Sequence, residues 1–176
     1  MSQAPDLSEY SKEYIREALG PVRHNLTLAI YHSSNYFNLG SIIRLSHGFL
    51  CKEIIAIDCD DFYKKATMGT HKWENIRHVT LKEFTEQTQH RNVVAFDRRP
   101  DLETKNLYEY DYPDDPILLF GSEKVGIPDE CLNSATDLVG IPMYGLINDM
   151  NLANAVSIGT YDWLQKHYKK QWQKSK

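Results

Sequence analysis

A single parallel α/β sheet is the architecture this sequence predicts, and three observations predict it. Short, continuously apolar runs rich in β-branched residues recur along the chain, as strands covered on both faces require. Helix-patterned segments separate them, the alternation that builds parallel sheets. The length of 176 residues corresponds to about one domain at roughly 150 residues each. Hydrophobic residues at 41% against charged residues at 25% suit a folded chain rather than a disordered one.

The elements follow in order. Asp6 with Glu9 three residues later has the form of a capping box. Leu7, Tyr10, Tyr14 and Ala18 then recur at helical spacing until Gly20-Pro21 stops the run. Residues 1–24 are therefore expected to be a helical N-terminal extension of one domain spanning 1–176. Strands are expected over 26–31, 53–58, 92–96, 117–120 and 138–141, and helices over 39–49, 81–90 and 128–134. Pro128 suits the first position of the third of these helices. A last helix is expected from Asn151 towards Lys170, and residues 97–116 read as one long, irregular, acidic loop.

Several classes of function are excluded or disfavoured. Cys51, Cys59 and Cys131 are odd in number and far apart, which argues for buried thiols in a reducing compartment rather than a disulfide framework or zinc site. The histidines are scattered without metal-ligand spacing, so no metal is expected. The N-terminus carries no signal-like segment and no run approaches membrane length, so a cytoplasmic protein with no membrane partner is expected. G-x-x-x-x-G-K-[ST], a G-x-G-x-x-G after the first strand and the G-x-S-x-G elbow are all absent. The formal net charge of −4 lacks the strongly basic signature of many nucleic-acid binders.

In open α/β sheets ligands lie beyond the carboxyl ends of the strands. Three blocks stand at such ends: Asn38-x-Gly40-x-x-x-Arg44, then Gly121-x-Glu123-x-x-Gly126-Ile127-Pro128, then Ile141-Pro142-Met143 followed by Met150-Asn151-Leu152-Ala153-Asn154-Ala155. Alone, each has a plain structural reading. Asn38 caps a helix, Arg44 is solvated, Glu123 closes a turn. Together and in this order they resemble the SpoU/TrmH branch of the SPOUT methyltransferases, over Asn38 to about Trp163.

That resemblance implies a parallel-sheet SPOUT (α/β knot) fold with a C-terminal trefoil knot, S-adenosylmethionine as methyl donor, a homodimer, and methylation of a ribose 2′-hydroxyl in structured RNA, tRNA or rRNA. By motif position Gly121, Ile141 and Met150 line the donor pocket, with Phe96, Gly126, Met143 and Asp149 beside them. At the position of Asp149 the family commonly carries serine. The third block is also similar to small bacterial enzymes that methylate the tRNA wobble ribose. The alternatives are a catalytically inactive protein of the same fold that binds S-adenosylmethionine and RNA, and methylation of a base nitrogen.

The family resemblance assigns Arg44 to the attacking hydroxyl. A guanidinium with pKa above 12 and no acceptor is a poor base. Stabilising the developing alkoxide, or holding the adjacent phosphate, is the physically sounder role. Asn38 is expected to orient Arg44 or the ribose, Glu123 to accept from Arg44, Asn38 or a substrate hydroxyl, and Asn151 to close the polar ring.

Charge is unevenly spread. Residues 161–176 carry a net +4, residues 64–91 a net +3, and residues 101–115 a net −5. Phosphate contacts supply much of RNA affinity, so Lys64, His71, Lys72 and Arg77 are candidate RNA contacts, together with the lysine-rich tail. Trp73 is a candidate stacking residue, read first as core or interface. Tyr161, Leu164, Tyr168 and Trp172 recur at helical spacing and read as an interface or core stripe.

Overall fold

The apolar runs pair into one seven-stranded, all-parallel sheet in the order β3-β2-β1-β6-β4-β7-β5. The structure is a computed structural model that describes residues 10–31, 35–59, 61–122, 124–146 and 149–174, with side chains through residue 168. The strands are β1 (His24–Tyr31), β2 (Cys51–Ile57), β3 (Ile76–Val79), β4 (Val93–Phe96), β5 (Lys105–Asn106), β6 (Ile117–Phe120) and β7 (Asp137–Gly140). The helices are α1 (Lys12–Leu19), α2 (Tyr36–Gly48), α3 (Leu81–Thr88), α4 (Asp129–Ser134) and α5 (Leu152–Lys174).

The alternation of strand side chains builds two cores. Leu26, Leu28 and Ile30 of β1 join Ile54, Val94, Leu118 and Phe120 against Leu39, Ile42 and Ile43 of α2 and Val156 and Trp163 of α5. The opposite faces of the same strands, with Ala29, Ile55, Ala95 and Leu119, pack on Phe84 of α3 and Cys131 of α4. All three cysteines are free and buried, as expected. Burial pushes the thiols of Cys51 and Cys131 up to about 12, so both stay protonated and inert.

Both edge strands escape the sequence pattern. β3 reads Ile-Arg-His-Val and is half exposed, and β5 is two exposed residues. An edge strand has no second neighbour and needs no continuous apolar run. The segment 97–116 accordingly holds β5 and a 3-10 turn at Leu107–Glu109 rather than being wholly irregular. Its acidic stretch is tied to α5: Tyr112 donates to Asp162 at 3.0 Å, and Lys166 donates to the carbonyls of Leu107 at 2.5 Å and Tyr110 at 3.1 Å.

Three helix starts are corrected. Asp6 and Glu9 lie outside the described residues, Tyr10 and Ser11 are not helical, and α1 begins at Lys12, with Ser11 accepting from Tyr14 N–H at 3.1 Å. Asn35, not Asn38, caps α2, accepting from Phe37 N–H at 3.0 Å. Pro128 is the N-cap of α4 rather than its first residue. The aromatic stripe of α5 also divides: Trp163 and Leu164 are buried, Tyr161 and Tyr168 are exposed, and the Trp172 side chain lies outside the described residues.

A buried charge cluster locks the amino end of the sheet. Glu74, 3% exposed, accepts from Arg23 through both carboxylate oxygens at 2.9 and 3.0 Å, and from the Ser46 hydroxyl at 3.2 Å. His47 Nδ1 lies 3.0 Å away. Arg23 also donates to the carbonyls of Cys51 and Trp73. One carboxylate thus joins the entry to β1, the end of α2, the start of β2 and the segment before β3.

Candidate active site

The carboxyl ends of β4, β6 and β7 open into a cavity of 260 Å³. Phe96 ends β4 and Phe120 ends β6, and their rings stack 4.7 Å apart as its floor. The segment after β7 and the first turn of α5 close it with Ile141, Met143, Asp149, Met150, Leu152 and Ala155. Every position assigned to the cofactor (Phe96, Gly121, Gly126, Ile141, Met143, Asp149 and Met150) lines this one cavity. Apolar walls with a few polar groups at the rim are what a cofactor with a flat ring and a charged tail requires. Among the described residues no cluster could hold a metal ion.

The loop after β6 owes its shape to two glycines. Ser122 and Gly126 form an antiparallel bridge, with N–H to carbonyl distances of 3.2 and 2.8 Å. Gly126 has φ +68°, a conformation that side chains rarely adopt, and a Cβ on Gly121 would lie 2.3 Å from the Gly126 carbonyl carbon. Arg99 fastens this loop to the end of β4, donating to the Ile127 carbonyl at 2.6 Å and to Asp97 at 3.3 Å. Sequence reasoning gave Arg99 no role and did not assign the cavity residues Asp97, Arg98, Phe120, Ser122 and Val139, while Leu152 and Ala155 entered only as members of the third block. The strand-end rule could have found Asp97 and Arg98, which directly follow β4.

The polar positions are only partly brought together. Asn151 donates from Nδ2 to Asn38 Oδ1 at 3.2 Å, bridging residues from α2 and the start of α5. Asn151 also caps α5 by accepting from Ala153 N–H at 3.0 Å. Asn38 is 7% exposed. Arg44 is exposed and makes no hydrogen bond or ion pair among the described residues; it shares the α2 face of Phe37, Ser41 and Gly48. Six residues at 3.6 per turn put Asn38 about 120° from it, so within one chain Asn38 does not orient Arg44. Glu123 lies outside the described residues. Gly40 of the first block has a packing reason: a Cβ there would lie 2.7 Å from the Tyr63 carbonyl oxygen and 2.8 Å from Ala66 Cβ.

The expected RNA contacts separate into two groups. Lys64, His71 and Lys72 lie on consecutive 3-10 turns, Lys64–Thr67 and Thr70–Lys72. Burial first, and then the charges of Lys72, Lys64 and Lys12, hold the His71 imidazole below its ordinary value. Lys12 of α1 therefore belongs to the same cationic group. Arg77 does not: it sits on β3, donates to Glu53 at 3.0 and 3.3 Å and also bonds Gln87. Its charge is neutralised across the β2–β3 pair. Trp73 is half-buried, its ring 5.4 Å from that of His47.

α1 extends the cationic group. Lys12 and Arg16, one turn apart, lie about 60° and 100° to one side of buried Ile15, whereas Glu13 and Glu17 lie about 160° from it. Arg16 lines a 590 Å³ cleft with Arg23, Asn25, Lys52, Trp73 and Asn75. The sequence pattern alone gave this helix no role beyond packing.

The chain is similar to known proteins. The model of the SpoU rRNA Methylase family matches residues 25–161. The tRNA (cytidine(34)-2′-O)-methyltransferase of Escherichia coli K12 is 30% identical over 155 residues, covering 81% of this chain and 95% of that enzyme. The tRNA (guanosine(18)-2′-O)-methyltransferase of Thermus thermophilus is 25% identical over 86% of this chain and 80% of that enzyme. The crystal structure of the AdoMet-bound rRNA methyltransferase from Sinorhizobium meliloti superposes with a TM-score of 0.73 at 26% identity, covering 84% of this chain. This chain spans 58% of the length of that structure. With the motif blocks, the strand-end cavity and the family match falling on one stretch of sequence, this chain belongs to the SpoU rRNA methylase family.

Proposed function

We propose that this protein transfers the methyl group of S-adenosylmethionine to a ribose 2′-hydroxyl of structured RNA, tRNA or rRNA. The observation that carries the reading is the cavity lined by every motif-derived cofactor position. The names of the relatives, tRNA 2′-O-methyltransferases, and the cofactor named with the Sinorhizobium meliloti structure support it. When bound, S-adenosylmethionine supplies a methyl group made electrophilic by its sulfonium. Phe96, Phe120, Ile141 and Met143 offer apolar surface to its ring, and Gly121 and Gly126, without side chains, let backbone approach it closely.

The chain's own contribution is then positioning and charge. In-line displacement depends on holding the hydroxyl against the methyl carbon. In this reading the Asn38–Asn151 pair, at the junction of α2 and α5, hydrogen-bonds the ribose, which the bond between the two side chains supports. Arg44 stabilises the oxygen as its proton leaves, or grips the neighbouring phosphate. Arg44 points from a face that also exposes Tyr36 and Phe37, and α5 exposes Ile158 and Tyr161. These apolar residues support a homodimer in which the substrate lies between two copies.

The same reading covers a single SPOUT domain over 1–176, with residues 1–24 as its extension, a cytoplasmic location and a C-terminal trefoil knot. No helix among the described residues is long and apolar enough to cross a membrane. In support of the knot, the segment after β7 walls the cavity and α5 then returns to pack on α2 and β6.

The Arg44→Ala variant tests catalysis against mere binding. Labelled methyl transfer to fractionated tRNA and rRNA should fall about 100-fold or more, with S-adenosylmethionine affinity unchanged. Transfer at the wild-type rate would remove Arg44 from the mechanism, and no transfer by the wild type to any RNA would leave a binding protein.

RNA affinity has its own prediction. Removing a side chain that grips one phosphate reduces the slope of log K against log salt by roughly one unit. Joint replacement of Lys12 and Arg16 by alanine should lower the slope by about 1–2, whereas Arg77→Ala should leave it unchanged. Filter binding at several salt concentrations measures both, and a response to Arg77→Ala alone would contradict the assignment.

A further inference from the structure

Among the described residues three charged ones line the cavity: Asp97, Arg98 and Asp149. The charge of Asp97 is already offset. Its Oδ2 accepts from Arg99 Nε at 3.3 Å, and its Oδ1 accepts from the Arg98 N–H at 2.7 Å. Asp149 differs. It is exposed at the cavity wall and has no hydrogen bond or ion pair among the described residues. It is therefore a negative charge beside the space assigned to the donor, with no direct partner among the described residues.

The reaction changes the charge in that space by one unit. As the new O–C bond forms, the C–S bond of the sulfonium breaks and its electron pair stays on sulfur. The hydroxyl proton leaves to solvent. The donor enters with a cationic sulfur, and the product, S-adenosylhomocysteine, leaves with a neutral thioether. The two molecules differ otherwise only by the transferred methyl, which carries no hydrogen-bonding group, so a fixed carboxylate distinguishes them chiefly through that charge.

We propose that Asp149 is a specificity-determining residue that favours the sulfonium donor over the thioether product, lowering product inhibition. The inference rests on the cofactor reading given above and adds the reason for a carboxylate at this position. Arg98 acts on the same space with opposite sign, and comparison of Asp149 variants holds its contribution constant. The plain structural alternative is that an acid just before α5 steadies the helix through its dipole. That role alters stability without distinguishing the two ligands.

Calorimetric titration of the full-length protein with three probes tests the proposal. The probes are S-adenosylmethionine, S-adenosylhomocysteine and sinefungin, whose protonated amine replaces the methylsulfonium. A unit charge near a partly solvated carboxylate supports a preference of about fivefold to tenfold. Asp149→Asn should weaken S-adenosylmethionine and sinefungin by that factor and leave S-adenosylhomocysteine within about twofold. Asp149→Glu, which keeps the charge, should retain most of the preference. Equal changes for all three probes, or none, would overturn the proposal while leaving the cofactor reading intact. If the wild type binds none of the three, the cofactor reading itself fails and this inference fails with it.

Discussion

Gly121→Ala is expected to weaken S-adenosylmethionine binding on the order of 100-fold while the chain still folds. The added methyl would lie 2.3 Å from the Gly126 carbonyl carbon and 2.5 Å from both its oxygen and the Ile127 nitrogen. These are backbone atoms and cannot turn aside as a flexible side chain would. The bridge between Ser122 and Gly126 must open, and strain of this kind costs about 1–3 kcal/mol or more. The loop that carries the cavity's polar rim then loses its shape. Gly20→Ala is the matched control, since a Cβ there meets nothing within 4 Å. Titration of both variants, with circular dichroism to confirm folding, checks the expectation. Undiminished affinity in Gly121→Ala would show that the loop does not hold the donor.

The second large effect concerns stability. Glu74→Ala removes the carboxylate that Arg23, Ser46 and His47 share and leaves Arg23 buried without its counter-charge. Breaking a buried ion pair from one side costs about 3–5 kcal/mol. For a chain of this size that is roughly a 10 °C fall in Tm. Replacing Arg23 and Glu74 together by methionine should recover much of the loss, because neither charge is then stranded. Thermal unfolding of the single and double variants decides it; a double variant as unstable as the sum of the singles would contradict the pairing.

Glu74 also fixes a pH dependence. Burial alone would raise its carboxyl, but hydrogen bonds from His47 and Arg23 and the Arg23 charge outweigh burial and hold it below the ordinary value. The unfolded chain therefore binds this proton more readily than the folded one. The contribution is complete above the ordinary carboxylate range and is lost as pH falls through the lowered native value. In the Glu74→Gln variant, followed by thermal unfolding across the acid range, this part of the acid-induced loss should be absent.

The central strands were legible because burial on both faces leaves a continuous apolar run, as in β6 (Ile117–Phe120). The edges were not, because β3 and β5 have one neighbour each and carry charged residues. The lining of the cavity was legible through the family motifs that stand at strand ends, and the need for glycine at 121 and 126 is local. The pairing of Arg77 with Glu53 had no sequence signal, because it runs across two strands between residues 24 apart in sequence. Glu74 gave no sequence signal for the same reason: its partner Arg23 lies 51 residues away. The cationic edge of α1 was hidden by Glu13 and Glu17, and only the burial of Ile15 shows which side of the helix Lys12 and Arg16 occupy.

The central claim is that a ribose oxygen of RNA receives the methyl group. Wild-type protein, labelled S-adenosylmethionine and fractionated tRNA and rRNA, followed by complete nuclease digestion and mass analysis of the labelled nucleoside, tests it most directly. The expected product is a 2′-O-methylated nucleoside, with the added mass on the sugar and the base unchanged. A methyl group found on a base nitrogen would contradict the claim.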